Sequence, residues 1–366
     1  MSVISYKCPN CDGELIFDPK TQKYKCEYCF SLFDQAQLDA MKPDTQEEQT
    51  DSTKDSYEAE SAKEDAFEQF DEQNGEDGMI YTCPSCGAQI VTDATTAATF
   101  CYYCHNPVVL GGRLSGENMP DKIIPFAIDK KEAEKKFLDY VNSKKFIPRA
   151  FFNKKQIELF SGVYFPYWIY NTSIKGRMTA EAKKVRVYRH GDTEFTETSF
   201  YEVEREGNIQ LQDMTENALK KANHVLADGV MPYRMEDAKA FNFGFLSGFL
   251  AEKKDIEKDE VSAALQAEAK DYADKMLRES IDGYSSVHSR NSSFSANKEE
   301  YAYTLLPVWT ITYPGKNGKT YYYSMNGQTG KICGELPVDY KKVALTALIS
   351  GVAALLIGLL GGYFIW

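Results

Sequence analysis

The 366-residue chain carries 42 Lys and Arg against 54 Asp and Glu, a net charge of −12, with 43% hydrophobic and 26% charged residues. That composition excludes a wholly disordered chain, and the acidic balance argues against a surface built to hold a phosphate backbone. The charge is also uneven: residues 39–78 hold three Lys and fifteen Asp or Glu, residues 1–38 and 79–112 are each net −1, and residues 113–366 are net +2.

Residues 1–9 contain no apolar stretch, so no secretory leader is expected. Residues 1–34 read as a first small unit with the pairs Cys8-x-x-Cys11 and Cys26-x-x-Cys29. Residues 35–78 are acidic and polar, and read as a flexible, solvated linker. Within it, Ala62, Ala66, Phe67 and Phe70 recur at helical spacing across residues 59–70, which would suit a short docking segment. Residues 79–112 repeat the first unit at a fixed offset of 75 residues. Tyr6, Cys8, Pro9 and Cys11 return as Tyr81, Cys83, Pro84 and Cys86. Asp18 and Thr21 return as Asp93 and Thr96, and Cys26, Tyr28 and Cys29 as Cys101, Tyr103 and Cys104. A constant offset over so many positions predicts one small fold used twice.

The cysteines carry the chemistry. Eight of nine fall in four C-x-x-C pairs, and fourteen residues separate the pairs within each unit. Such grouping points to a metal in a reducing compartment rather than to disulfides. Four thiolates at ~2.3 Å complete a tetrahedral Zn²⁺ and leave no position for water or substrate. The expected ligands are Cys8, Cys11, Cys26 and Cys29 for one ion and Cys83, Cys86, Cys101 and Cys104 for a second, both structural. His105 follows a complete set and reads as a turn residue with positive φ. Cys333 reads as a small core residue. The first unit, mixed in charge and tethered, is expected to be either a mobile recognition module or a structural knob. The second, with Asp93 as its one charge, is expected to pack on a neighbour.

Residues 113–342 read as an α+β domain with an antiparallel sheet. Ala133, Phe137 and Val141 predict a helix over 129–145. Alternation predicts strands over 160–174, 182–190 and 195–204. Residues 233–253 and 257–281 read as helices, the second with Val261, Leu265, Ala269, Tyr272, Ala273 and Met276 on one stripe. Residues 299–334 read as a meander with type I′ turns at Asn317-Gly318 and Asn326-Gly327. Phe165-Pro166-Tyr167-Trp168 is echoed by Leu306-Pro307-Val308-Trp309, which suggests two related half-sheets with proline at a strand start or edge. A phosphate loop over residues 315–320 fails because Tyr313 stands where glycine is required. With no other catalytic motif, the domain is not expected to be an enzyme.

Residues 343–366 are 24 residues without a charge. At ~1.5 Å per residue they reach ~36 Å, enough for a ~30 Å hydrocarbon core with some tilt. Nothing is expected beyond the span. Lys341 and Lys342 flank it and would hold residues 1–342 in the cytoplasm. Thr346, Ser350, Ala354, Gly358 and Gly362 are small and spaced by four, which suits helix–helix pairing.

The run Cys83-Pro84-x-Cys86 to Cys101-x-x-Cys104-x-Asn106-Pro107, then Arg113-Leu114-Ser115-Gly116-Glu117 and Ile123-Ile124-Pro125-Phe126, resembles a bacterial family of zinc-ribbon proteins. Gly162-Val163-Tyr164-x-Pro166-x-Trp168 and Asn326-Gly327-Gln328-Thr329-Gly330-Lys331 fit the same pattern. Members are tail-anchored in the membrane with tandem transcription-factor-IIB-type ribbons, and are often labelled primosomal-helicase-like. The resemblance implies a membrane-bound adaptor that recruits a protein partner of the phage-shock or flotillin-like (SPFH) type in envelope stress. It carries over the eight cysteines as ligands and no catalytic residue. The competing readings are a nucleic-acid-binding or transcription-related ribbon protein, disfavoured by the charge, and an enzyme with its site hidden in residues 113–342.

Overall fold

The computed structural model describes residues 3–40, 44–46, 79–83, 89–101, 106–148, 160–222, 224–314 and 320–365. The segment expected at 59–70, the turn at Asn317-Gly318, and Cys86, Cys104 and His105 lie outside those residues.

After β1 (Val3–Ser5), a small sheet forms from β2 (Leu15–Asp18), β3 (Lys23–Cys26) and β4 (Leu32–Phe33). Helix α1 (Gln35–Ala40) and β5 (Asp44–Gln46) follow, and β5 pairs back onto β1, so structured backbone continues past residue 34. The 79–112 segment supplies β6 (Met79–Thr82), β7 (Gln89–Thr92), β8 (Thr96–Phe100) and β9 (Pro107–Val109).

The repeat extends to hydrogen-bond register. Tyr24 pairs with Phe33 and Lys25 with Leu32; 75 residues on, Thr99 pairs with Val108 and Phe100 with Pro107. The bridge Lys7–Glu14 recurs as Thr82–Gln89. Cys26 N–H donates to Ser31 O at 3.0 Å, and Cys101 N–H to Asn106 O at 2.9 Å. The matched Asp and Thr share a role too. Thr21 Oγ1 donates to Asp18 at 2.8 Å and Thr96 Oγ1 to Asp93 at 2.6 Å, each closing the turn before a central strand.

The larger region runs through β10 (Lys122–Ile123), α2 (Lys130–Asn142), β11 (Ser161–His190), β12 (Thr193–Asn217), α3 (His224–Gly229), β13 (Lys239–Ala240), β14 (Leu250–Glu252), α4 (Lys258–Glu279), β15 (Ser286–Pro314), β16 (Thr320–Asn326), β17 (Ile332–Gly334) and α5 (Tyr340–Ile365). Twelve strands among the described residues form one sheet in the order β13-β10-β15-β11-β14-β8-β9-β1-β5, with β12 beside β11 and β16–β17 beside β15. The strands expected at 160–174 and 182–190 are one continuous strand of 30 residues.

The two echoed prolines lie across from each other in the centre of this sheet, not at its edge. Phe165 pairs with Leu306, Pro166 with Leu305, and Tyr164 with Pro307. On its other side β11 pairs in parallel with β14 at Val163 and Tyr164, then antiparallel with β12 from Tyr167. β15 does the same with β10 at Thr304 and Leu305, then with β16 from Val308. Each proline therefore stands where the flanking strand changes, so its missing N–H breaks no ladder. The echo marks two related half-sheets.

Helix α2 begins at Asp129, whose carboxylate accepts the Glu132 N–H at 2.8 Å, and it buries Ala133, Phe137 and Val141. Helix α4 begins with a reciprocal Glu257–Glu260 cap and buries Val261, Leu265, Ala269, Ala273 and Leu277. Tyr272 and Met276, read as part of that stripe, are 47% and 49% exposed. The buried line steps by four through Leu277, and both residues fall one position off it.

The helix expected over 233–253 is absent. That stretch consists of short turns at Met235–Asp237 and Phe243–Leu246 with β13 and β14 between and after them. Its apolar residues contact two separate surfaces, and Gly248 (φ +90°) and the Asn242 side chain, which accepts the Gly244 N–H, favour turns over helix. The turn after Asn326 is also not type I′: only Gly330 there has positive φ. Asn326 is fully buried, donates to Val230 O and Pro232 O, and accepts the Gln328 and Thr329 N–H groups. Gly327 is required for space, because a Cβ would strike the Phe126 ring.

The core centres on Phe126, which stacks on Phe249 at 4.2 Å and meets Tyr164 and Trp309 at 5.0 and 5.1 Å. Past residue 182 the β11–β12 hairpin leaves this core, with Val187 and Phe200 exposed and Tyr188 stacked on Phe195. Helix α5 is long and apolar enough to cross a membrane, and none of Tyr340–Gly358 is buried in the protein.

Candidate metal centre

The Sγ atoms of Cys8, Cys11, Cys26 and Cys29 all lie within 4.8 Å of one another. Cys8 and Cys29 approach to 3.5 Å, and Cys11 and Cys26 to 3.4 Å. Four sulfurs bound at ~2.3 Å to one ion would stand about 3.8 Å apart. The cluster has the size and the all-thiol donor set of a zinc-like site. Cys8 and Cys26 are buried, and Cys11 and Cys29 face outward.

Two matching turns create this geometry. Asp12 N–H donates to Cys8 O at 2.8 Å and Phe30 N–H to Cys26 O at 3.1 Å. Asp12 and Phe30 follow the second cysteine of their pairs and have φ of +60° and +59°. Such a backbone is strained for a bulky residue and persists only where its surroundings hold it, here by convergence of the sulfurs. Gly13 lets the Tyr28 ring lie against the backbone, since a Cβ would meet that ring at 2.5 Å.

The thiols are set for a cation. Burial pushes Cys8 up, against N–H groups of Asn10 and Cys11 that favour its thiolate. The Gly13 N–H favours the Cys11 thiolate, but the Cys26 and Cys29 side chains outweigh it and push Cys11 up to about 12. The Ser31 hydroxyl, 3.3 Å from Cys29 Sγ, and the Ser31 N–H hold Cys29 down at about 6. Four crowded sulfurs cannot all ionise alone; a divalent ion removes that conflict.

The first unit is docked, which fits the structural-knob alternative and not the mobile module. Phe17 and Tyr24 pack on Phe245 at 5.2 and 6.3 Å. Phe17 N–H donates to Ser247 O at 3.1 Å, and Ser247 Oγ donates to Leu15 O. Gln22 Nε2 reaches Phe126 O at 2.8 Å, and Lys20 pairs with Asp129 at 2.7 Å. What stays exposed is the knuckle surface: Tyr28 is 74% and Phe30 70% exposed.

In the second unit Cys83 and Cys101 are buried at 1% and 0%, as Cys8 and Cys26 are at 2% and 0%. Its other two expected ligands, Cys86 and Cys104, are outside the described residues. Arg113, which opens a motif of the resemblance without any role read for it there, closes this unit. It is 6% exposed, donates from Nε to Tyr81 Oη at 2.7 Å and from Nη1 to Thr96 O at 2.6 Å and to Asp93 O. Its place in that motif, just after a glycine pair, marked the position but not the partner. Lys221 ties the unit to the domain, 2.6 Å from Asp93 and 3.0 Å from Glu252. Lys221 and Glu252 also line a largely apolar cleft of about 640 Å³ on one face of the large sheet beside β8. Cys333 packs against Gly229 of α3, half-buried.

Among curated proteins, the chain is 31% identical over 351 residues to the uncharacterized protein YdjG of Bacillus subtilis (strain 168), covering 96% of this chain and 94% of that one. No family model matches the chain. No solved structure matches it either.

Proposed function

The chain belongs to the family of Bacillus subtilis YdjG, and from that premise we propose that it is a membrane-anchored zinc-ribbon adaptor, without catalysis of its own, that binds a protein partner at the cytoplasmic face. The observation that carries this reading is the pairing of a closed four-sulfur cluster with an exposed apolar knuckle. A complete thiolate set offers no position to a substrate, so the ion's work is to stiffen the loop. Stiffened, Tyr28, Phe30 and Leu32 form a preorganised apolar patch on a docked base.

The β3–β4 register repeated at β8–β9, together with the buried Cys83 and Cys101, supports a second ion on Cys83, Cys86, Cys101 and Cys104. Helix α5 supports a single C-terminal anchor with Lys341 and Lys342 on the cytoplasmic side, and Ser350, Ala354, Gly358 and Gly362 as a face for another helix. A partner of the flotillin-like or phage-shock type is the resemblance's contribution to this proposal.

The test is purification of the full chain from membranes by a tag, with co-purifying proteins identified by mass. A protein partner is expected with the native chain and is lost at least about tenfold in a Tyr28→Ser, Phe30→Asn variant, Asn being tolerant of positive φ. Removal of residues 343–366 should carry both proteins into the soluble fraction. A partner that remains at the membrane without the anchor would refute recruitment. Salt-sensitive nucleic acid in place of a protein would favour the transcription-related reading.

A further inference from the structure

We propose that the cleft where the α+β domain meets α5 binds the headgroup of an anionic phospholipid, an inference that rests on the membrane-anchor reading above. The loop after α2 is fastened to the start of α5. Asp339 N–H donates to Phe146 O at 2.6 Å, and Lys342 Nζ donates to Ile147 O at 2.5 Å. If Val343 onward enters hydrocarbon, Lys342 marks the headgroup layer, and residues 143–147 share its depth. At that depth lies a cleft of about 450 Å³ between residues 140–147 and 334–338.

Its lining suits a phosphodiester above acyl chains. Lys144 and Lys145 line it, the first held over the Tyr140 ring at 4.8 Å. Among the described residues neither lysine, nor Lys341, has an ion-pair partner. The two segments 140–147 and 334–342 together hold four Lys, one Glu and one Asp, net +2 in a chain of net −12. The Asp is already engaged: Asp339 Oδ1 accepts the Lys341 and Lys342 N–H groups as a helix cap. Phe146, Val338 and Tyr340 are exposed around the rim. Aromatics and lysines together seek the interface of an anionic leaflet, where each lysine near the surface strengthens binding several-fold.

The test uses the full chain in nanodiscs of phosphatidylcholine, with or without phosphatidylglycerol, doped with a photoactivatable phosphatidylglycerol carrying its label in the headgroup. Labelling should map to residues 140–147 and 334–342 and fall about tenfold in Lys144→Glu, Lys145→Glu. Lys144→Gln, Lys145→Gln should fall by less. Lys183→Glu, Lys184→Glu, the same charge change on the exposed hairpin, should leave it unchanged. Equal labelling with and without the anionic lipid, full competition by millimolar inorganic phosphate, or cross-links from Lys144 to residues 47–78 in place of lipid would each overturn the site. Alkaline carbonate extraction separates the two failures. Release of the native chain would overturn the anchor, whereas retention without headgroup labelling would overturn the headgroup site alone.

Discussion

The two cysteine units share the register of their β3–β4 and β8–β9 pairs and differ in the strand on the other side of it. In the first, β3 lies between β2 and β4, so the small sheet is completed by its own chain. In the second, the equivalent strand β8 lies between β9 and β14, so an edge is given to the twelve-stranded sheet. The first unit docks mainly by side chains, through Phe17, Tyr24 and a rim of Lys20 and Gln22, with backbone pairing limited to β1 on β9 and the Phe17 N–H to Ser247 O bond. The second docks by backbone pairing, with Arg113 and Lys221 as clasps. A repeat in sequence therefore specifies a fold twice, while composition assigns each copy its setting. Two lysines, Lys23 and Lys25, keep one side of β3 toward water, whereas a nearly uncharged copy can be built into a sheet.

Loss of a sulfur should separate the units most. Cys26→Ser should remove one equivalent of metal, measured by elemental analysis, and expose residues 3–40 to protease while the aromatic core stays folded. Structural zinc in isolated fingers supplies about 10–16 kcal/mol, so no docking contact can replace it. Cys101→Ser should remove a second equivalent yet leave β8 more protected in hydrogen exchange, because β14 and Arg113 still hold it. Equal collapse of both would break the distinction.

Phe245→Ala comes next, at about 3–5 kcal/mol in a denaturant melt. It should speed hydrogen exchange across β2 and β3 with metal content unchanged. Arg113→Met should cost about 2–3 kcal/mol through lost charge-assisted bonds, with exchange changes confined to β6 and β8. The smallest effect belongs to the Asp93–Lys221 clasp. Burial opposes ionisation of Asp93, but its bonds from Lys221 and Thr96 prevail and hold it below the usual carboxylate range. Its stabilisation is thus present above the unfolded value of 3.8 and disappears as pH falls through the lower folded value. Lys221 loses ion-pairing stabilisation at the other end. Burial opposes its charge, yet Glu252 and Asp93 raise it, so stabilisation is present below 10.5 and lost as pH rises past the higher folded value. Asp93→Asn should cost up to about 1 kcal/mol between those limits and remove the acid sensitivity of the second unit alone.

Much of this was readable from residue order. The cysteine spacing named the ligand set of the described cluster, and the offset of 75 anticipated a shared register down to Asp18 and Asp93. Periodicity located α2 and α4 because each has one buried stripe. The failures share a cause. Residues 233–253 were apolar enough for a helix, but their side chains serve different surfaces, which no period can express. Asn326-Gly327 had the composition of a tight turn, yet the Asn is an internal scaffold and the Gly makes room for Phe126. The motifs that carried the family resemblance are mostly of this kind: Arg113, Phe126, Gly162 and Asn326 are packing and hydrogen-bonding positions.

Short-range order determined the sulfur knuckles, the capped helices and the long apolar run of the terminal helix, because each depends on residues a few positions apart, and the fixed offset of 75 marked the paired units. Only the tertiary structure decided that the first unit is docked, that both prolines sit mid-sheet where neighbours change, and that a loop 195 residues from Lys342 in sequence lies against the base of α5. Those outcomes depend on which surfaces fill one another's space, and that fit is a property of the folded whole rather than of any window along the chain.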